Sequence, residues 1–320
     1  MLNHVIMNYY QKNSNEIKLS IGLPVYNGEK FIRKCLDSLL AQTFTNFELI
    51  ISDNASTDNT SKICQEYSKK DKRIRYIYQE NNIGLHQNFN FVLEQAKNEF
   101  FMWIGVDDYI LPNYAKKNMD ILISNSNVVG SVSKINQYNL SEYKIDNIDS
   151  KFFNFMKILR FYFRKRGVLS ISGTYSQKVR TYLNNSTCQI IYGVFRTDKL
   201  RKSIIQSLFL GLDWAEMLNI LKFGDIHIVN EVLMYEFERG RSSDGIIYIS
   251  KSYNLNFLSI LFPWYPFTNE CRKTLGLNLF LKNLDYFIKL NFEGSISQFI
   301  DISRLFIKKL SKTRSNVFNN

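Results

Sequence analysis

Four short polar strings, each directly after an apolar run of β-strand character, hold the residues of this chain that could do chemistry: Pro24 to Gly28, Asp53 to Asp58, Asn81 to Gly84, and Asp107-Asp108. The last is the most pointed. Asp107 and Asp108 follow FFMWIGV, and adjacent carboxylates at the end of a buried strand repel each other and lose hydration unless a cation or donors compensate. A hard divalent cation takes carboxylate oxygens and shares itself with substrate phosphates, so one reading is metal–phosphate chemistry. The other is a helix cap, since the acids precede Leu111-Pro112 and proline suits the first helical position. Asp53 reads on its own as an Asx turn or cap within DNASTD, and Asp58 as a structural cap. Neither G-x-x-x-x-G-K-[ST] nor G-x-G-x-x-G occurs, so a P-loop or dinucleotide fingerprint does not account for the set.

The surrounding pattern is what must position these strings. Ile17 to Val25 is a β-rich apolar run, and residues 28–42 place Phe31, Cys35, Leu36, Leu39 and Leu40 on one helical face. Strands are expected at 47–52, 73–78 and 100–104, with helices at 57–70 (Ile63 and Tyr67 inward) and 87–96. Strand and helix alternating over short connections implies right-handed crossovers and a mostly parallel sheet. In such sheets ligands bind beyond the carboxyl ends of the strands, where all four polar strings fall. After about residue 130 the rhythm degrades; a helix is expected at 213–222 and strands at 225–229 and 232–237. From about residue 250 Phe, Leu, Ile, Asn and Lys dominate. There Phe299, Ile302, Phe306 and Leu310 share one helical face opposite Asp301, Arg304, Lys308 and Lys312, a basic amphipathic pattern. The resulting division is 1–16 as an extension, 17–130 and 131–250 as two halves, and 251–320 as a basic helical extension.

The composition bounds the classes. The chain has 320 residues, 45% hydrophobic, enough for a buried core and against disorder as the main state. Lys+Arg 41 against Asp+Glu 29 gives +12, which favours an anionic partner without choosing among nucleic acid, a phosphorylated substrate and a membrane surface. Cys35, Cys64, Cys188 and Cys271 form no C-x-x-C pair and read as reduced thiols. No targeting segment is visible, and the longest apolar stretch, 257–267, is about half a bilayer span. The expected location is cytoplasmic, with peripheral contact at the inner face of the membrane. The basic aromatic run at 151–166 suits RNA, a membrane or the core; with no RNA-recognition string, nucleic acid is not expected, and contact with an acidic membrane is.

Taken in order, LSIGLPVYNGEKFIRKCLDSLLAQTFTNFELIISDNASTDNT, NNIG and FFMWIGVDDYILP resemble the family-2 glycosyltransferases of GT-A fold, strongly over about 17–125 and weakly to about 245. The resemblance implies an α/β chain with a mostly parallel twisted sheet in a Rossmann-like nucleotide-sugar-binding half, then an acceptor-binding half. Pro24, Tyr26 and Asn27 match the loop lining the nucleotide, Asp53 the acid contacting the nucleobase, and Asn82 and Gly84 the loop near the ribose. Asp107 matches the metal-ligating acid of the D-x-D motif, with Asp108 beside it and Mg²⁺ or Mn²⁺ implied. The first acid of that string is absent, Gly105 standing in its place. Asp213 in GLDWAEML matches an acid of the family, with Leu212 replacing the neighbouring Glu. One carboxylate suffices to deprotonate an acceptor hydroxyl, although Asp213 also reads as a helix cap.

Arg239 or Arg241, in YEFERGRSS, would hold diphosphate charge, or lie in a solvated loop. Glu216 reads as a solvated helix residue, and His86 and His227 as structural. The implied activity is inverting, metal-dependent transfer from a UDP- or dTDP-sugar to a hydroxyl of a cell-surface glycan or lipid-linked acceptor. One alternative is a catalytically impaired glycan- or nucleotide-binding module, suggested by the missing acid. Another is a nucleotidyltransferase, which should carry a glycine-rich basic loop where this chain has PVYNGEK.

Overall fold

A computed structural model of the chain describes residues 18–138, 168–185, 188–237, 259, 261–296 and 298–299. Two compact units divide it: Met1–Ser141 with Arg166–Ile204 and Glu216–Glu238, and Glu142–Lys165 with Ile205–Ala215 and Arg239–Asn320. The first unit holds an eight-stranded sheet. Its opening elements are β1 (Leu19–Val25), α1 (Ile32–Leu40), β2 (Phe47–Asp53), α2 (Thr60–Lys70), β3 (Ile74–Tyr78), α3 (Leu85–Gln95) and β4 (Phe100–Trp103). They follow the alternation read from the sequence. β3, β2, β1 and β4 lie side by side, all parallel. Every residue of β1 and β4 is buried, as strands covered on both faces require.

Beyond β4 come β5 (Tyr109–Ile110), α4 (Tyr114–Ser124), β6 (Val128–Tyr138), α5 (Tyr175–Asn185), β7 (Val194–Arg196), α6 (Thr197–Arg201), α7 (Leu212–Ile220) and β8 (Asp225–Phe237). They complete the sheet in the order β3-β2-β1-β4-β7-β6-β8-β5, with antiparallel pairing at β4–β7, β6–β7 and β5–β8. The mixed half explains why the sequence rhythm degraded. β6 reads VVGSVSKINQY, and its Gly130 admits the Phe195 ring: a Cβ there would lie 2.4 Å from a ring carbon. The two strands expected at 225–229 and 232–237 are one strand, because pairing with β6 skips from Val229 to Val232 at an irregularity. α2 begins at Thr60 rather than 57, since residues 57–59 bind the loop after β1.

In the second unit, α8 (Tyr265–Leu275) and α9 (Leu277–Leu281) are separated by Gly276 at φ 74°, and 284–296 is helical. Trp214 and Trp264 meet at 5.4 Å between ring centroids, and Phe267 packs edge-on against both. No helix among the described residues is long and apolar enough to cross a membrane. Cys35, Cys64 and Cys271 are buried free thiols, and burial pushes the Cys64 thiol up to about 12. Such thiols pack as small apolar groups rather than react.

Candidate active site

The sheet register puts the polar strings side by side. Val25 pairs with Asp53 and Asp53 with Tyr78, so three loops leave the sheet from one line. The loop after β2 then clamps the loop after β1. Asn27, at φ 51°, takes the Thr57 N–H on its Oδ1 at 2.8 Å and donates its own N–H to Ser56 Oγ at 2.9 Å. Gly28 N–H donates to Thr60 Oγ1 at 2.8 Å, and Glu29 N–H to Asp58 Oδ2 at 3.1 Å. Asp58, one residue before the Asn59 N-cap of α2, also accepts from the Thr60 N–H in a local turn; burial raises its carboxyl pKa, but these bonds outweigh it and hold the carboxyl below the usual range.

Asp53 lies beneath this loop with no exposed surface. Its Oδ1 accepts from the Ser56 N–H at 2.9 Å, and its Oδ2 from the Ser61 hydroxyl and from Tyr76 Oη at 2.9 Å. The side chain thus holds the loop together from within. Next to it Asn54, which the sequence reading passed over, is buried and links to the third loop: its Nδ2 donates to Asn82 Oδ1 at 2.9 Å, and Ile83 N–H donates to its Oδ1 at 2.8 Å. Asn82 Oδ1 also takes the Gly84 N–H at 2.9 Å, and Gly84 turns the chain into α3 at φ 92°. Pro24 is buried within β1, whereas Tyr26, Asn27, Thr57, Asn82 and Ile83 form an exposed polar and apolar rim.

The acidic turn after β4 abuts the first loop. A Cβ on Gly28 would lie 2.7 Å from Val106 Cγ2, so only glycine lets the two approach. Asp108 is 3% exposed; its Oδ1 accepts the Phe237 N–H at 3.1 Å, and its Oδ2 is buried with no hydrogen-bond partner. Burial first, and then the Asp107 charge, push the Asp108 carboxyl well above the usual carboxylate range; the Phe237 N–H and the Tyr192 hydroxyl act the other way. The capping alternative for this pair fails, because β5 intervenes and α4 starts only after Asn113.

Asp107 is half-buried, and its carbonyl accepts from the Tyr138 hydroxyl. Nothing in the sequence singled out Tyr138. Its ring and that of Tyr109 carry the Lys34 ammonium, 4.0 and 3.6 Å from the ring centroids, and Tyr109 stacks on Tyr235 at 4.9 Å. Gly105 marks where the two carboxylates converge: a Cβ on it would lie 2.7 Å from Asp108 Oδ2 and 3.0 Å from Asp107 Oδ1.

Among the described residues no group of three or more His, Cys, Asp or Glu is placed to hold a metal ion. Two hard oxygen donors facing one point still fit a Mg²⁺- or Mn²⁺-like ion that takes its remaining coordination from phosphate and water. Asp213 lies in the first turn of α7, in the second unit, half-buried and placed to complement the helix dipole. Glu216 departs from the expectation of a solvated residue. It is 4% exposed, because Leu212, Ala215, Met217, Leu218 and Ile220 bury α7 on nearly every side. His86 Nε2 lies 3.0 Å from Asn90 Nδ2, and burial lowers the His227 pKa. Arg239, Arg241, the 151–166 run, the 1–16 extension and residues 300–312 of the amphipathic pattern lie outside the described residues.

A mostly parallel α/β sheet whose carboxyl-edge loops interlock around an acidic turn is the architecture of GT-A-type nucleotide-sugar enzymes. The family model for glycosyl transferase family 2 matches residues 20–199, more than half of the sequence, and the chain belongs to that family. Among curated relatives, glycosyltransferase GlyA of Streptococcus pneumoniae is 29% identical over 236 residues, covering 73% of this chain and 30% of that protein. Glycosyltransferase GlyG of the same organism is 33% identical over 115 residues, 33% of this chain and 38% of its own length. The chain therefore spans about a third of the length of these relatives. Among solved structures, Staphylococcus aureus TarS 1-349 in complex with UDP-GlcNAc superimposes at TM-score 0.53 with 20% identity, covering 86% of this chain and 82% of that one. The mannosyltransferase PcManGT from Pyrobaculum calidifontis, in complex with GDP-Man and Mn²⁺, gives 0.54 with 12% identity over 99% and 88%. Likenesses at that identity establish the fold.

Proposed function

We propose that this protein is an inverting glycosyltransferase that moves a sugar from a UDP- or dTDP-linked donor to a hydroxyl of a cell-surface glycan or lipid-linked acceptor. The observation that carries the reading is the interlocked rim: three loops leaving one line of the sheet, tied through Asn27, Asn54 and Asn82, with the acidic turn packed against Gly28. Residues 17–130 would form the donor half and 131–250 the acceptor half. The donor nucleotide would lie along Tyr26, Asn27, Asn82 and Gly84, with Pro24 and Asp53 shaping the floor. Asp107, with Asp108 behind it, would hold Mg²⁺ or Mn²⁺, which when bound supplies charge neutralisation for the diphosphate. Arg239 and Arg241 would share that charge.

Asp213 would take the proton of the acceptor hydroxyl as its oxygen attacks the anomeric carbon. The new glycosidic bond forms as the bond to the diphosphate oxygen breaks, and one displacement inverts the centre. An acceptor at the inner face of the cell membrane would suit a cytoplasmic protein in peripheral contact with acidic lipid.

The test is release of nucleoside diphosphate from a panel of nucleotide-sugars with membrane extract as acceptor source, with Mn²⁺, Mg²⁺ or EDTA. Asp107→Asn and Asp213→Asn run in parallel. Metal-dependent release from one donor, lost in both variants, is expected. Gly105 in the acidic string favours the rival, a binding module, which predicts donor binding that survives both substitutions without turnover.

A further inference from the structure

The helical stretch 284–296 of the second unit is apolar on both sides. Its inward side is fixed: Tyr286, Phe287 and Leu290 are buried, and Gly294 packs so closely on Trp264 that a Cβ would lie 2.3 Å from the indole. Its orientation within that unit is therefore set by packing. The outward side nevertheless carries large apolar side chains at every fourth position: Leu284, Ile288, Phe292 and Ile296, exposed by 37%, 63%, 67% and 42%. Leu281, one turn earlier, is 53% exposed. A contiguous exposed apolar face of this kind marks an interaction surface.

We propose that this face docks on an anionic lipid bilayer. Charge complementarity selects the occupant. Within the described residues 261–296, Arg272, Lys273, Lys282 and Lys289 are exposed, and Asp285 is the one exposed acid. Glu270 and Glu293 are half-buried and pair with Lys273 and Lys289 at 3.5 and 3.7 Å. Lys289 borders the stripe and Lys282 lies in the turn just before it, where their stems can lie on acyl chains while the ammonium groups meet phosphate; Asp285 shares the face at its N-terminal end. The spacing argues against a coiled-coil partner. Repetition at strict four-residue intervals drifts about 40° around the helix per step, giving a broad face rather than the narrow three-and-four seam of paired helices. Beyond Ile296 the four-residue spacing recurs two residues out of step, in Ile302, Phe306 and Leu310 among Arg304, Lys308 and Lys312. The inference rests on the peripheral lipid contact of the proposed function and gives that contact a surface; vesicle binding is measured without turnover, so its failure is distinguishable from failure of the transferase reading.

The experiment is co-sedimentation of the full chain with phosphatidylcholine vesicles, with and without phosphatidylglycerol, at low and high salt. The variants are Ile288→Ser/Phe292→Ser and Lys282→Gln/Lys289→Gln, each checked for an unchanged circular dichroism spectrum and melting temperature. Wild type should bind the anionic vesicles. The apolar pair should lose affinity by about tenfold or more, since each buried methylene contributes to such binding. The lysine pair should weaken binding and flatten its salt dependence. Wild type remaining in the supernatant with both vesicles, or an apolar variant that binds as wild type, would overturn the proposal. So would a dimer that dissociates in the apolar variant while vesicle binding is absent.

Discussion

The backbone N–H of Phe237, the last residue of β8, donates to Asp108 Oδ1 across 3.1 Å and ties the far strand of the sheet to the acidic turn after β4. Residues 129 apart in sequence thus fix each other. Replacing Asp108 by Ala leaves a buried N–H unpaired and should cost about 2–3 kcal/mol in urea unfolding. Asp108→Asn keeps an acceptor and removes a buried charge, so it should stay within about 1 kcal/mol of wild type. Equal losses in the two variants would show that the carboxyl's charge, not its hydrogen bond, matters.

Asp58 supplies the pH dependence of the loop clamp. Burial raises its pKa, and the bonds from Thr60 and Glu29 outweigh that, so the folded value sits below the unfolded one. A depressed carboxyl contributes stability that is present above the unfolded pKa, about 3.9, and is lost as pH falls through the folded value. Asp58→Asn should therefore be less stable than wild type at neutral pH, with the gap closing below about pH 4. Thermal melts of both proteins across that range measure it; a gap that does not depend on pH would contradict the assignment.

The half of the fold that carries the rim was legible because its signals are local. Apolar runs followed by helical periodicity gave β1 to β4 in order, and DNASTD announced the turn that Asp58 closes on Thr60. What stayed hidden depends on residues far apart in the chain. Asp53 reads on its own as a turn or cap, as its bond from the Ser56 N–H bears out, but its full enclosure is set by Ser61 on α2 and Tyr76 on β3, which no spacing rule connects to it. Tyr138 meets Asp107 only once β6 has paired with β8. β6 itself was missed because Gly130, Ser131 and Ser133 are small where neighbouring side chains press in, which lowers the apolar signal a strand search relies on.

Gly105 stands where the family string carries its first acid, and both existing carboxylates face that point. Gly105→Asp should crowd three carboxylates together and lower metal-free stability by about 1–3 kcal/mol. Gly105→Ala separates the steric part of that loss. A cation bound to the folded state raises the melting temperature by mass action, so the Asp variant should gain more from added Mn²⁺ than wild type does. Equal metal shifts in wild type, Ala and Asp forms would mean that a third carboxylate at this position does not add to cation binding.

Asp53 offers the sharpest separation between a group that contacts a ligand and one that shapes the loop beneath it. Its two oxygens serve the Ser56 N–H, the Ser61 hydroxyl and the Tyr76 hydroxyl, and the carboxylate has no exposed surface. Asp53→Ala should cost on the order of 3 kcal/mol or more, because it strands several buried donors at once. Tyr76→Phe removes one of those donors and should cost about 1 kcal/mol alone, but close to nothing once Asp53 is Ala. Urea denaturation of the four proteins of that cycle gives the coupling directly. Additive losses would show that the hydroxyl and the carboxylate act independently. A coupling near the full cost of Tyr76→Phe would establish Asp53 as the hub from which the loops after β1 and β2 take their shape.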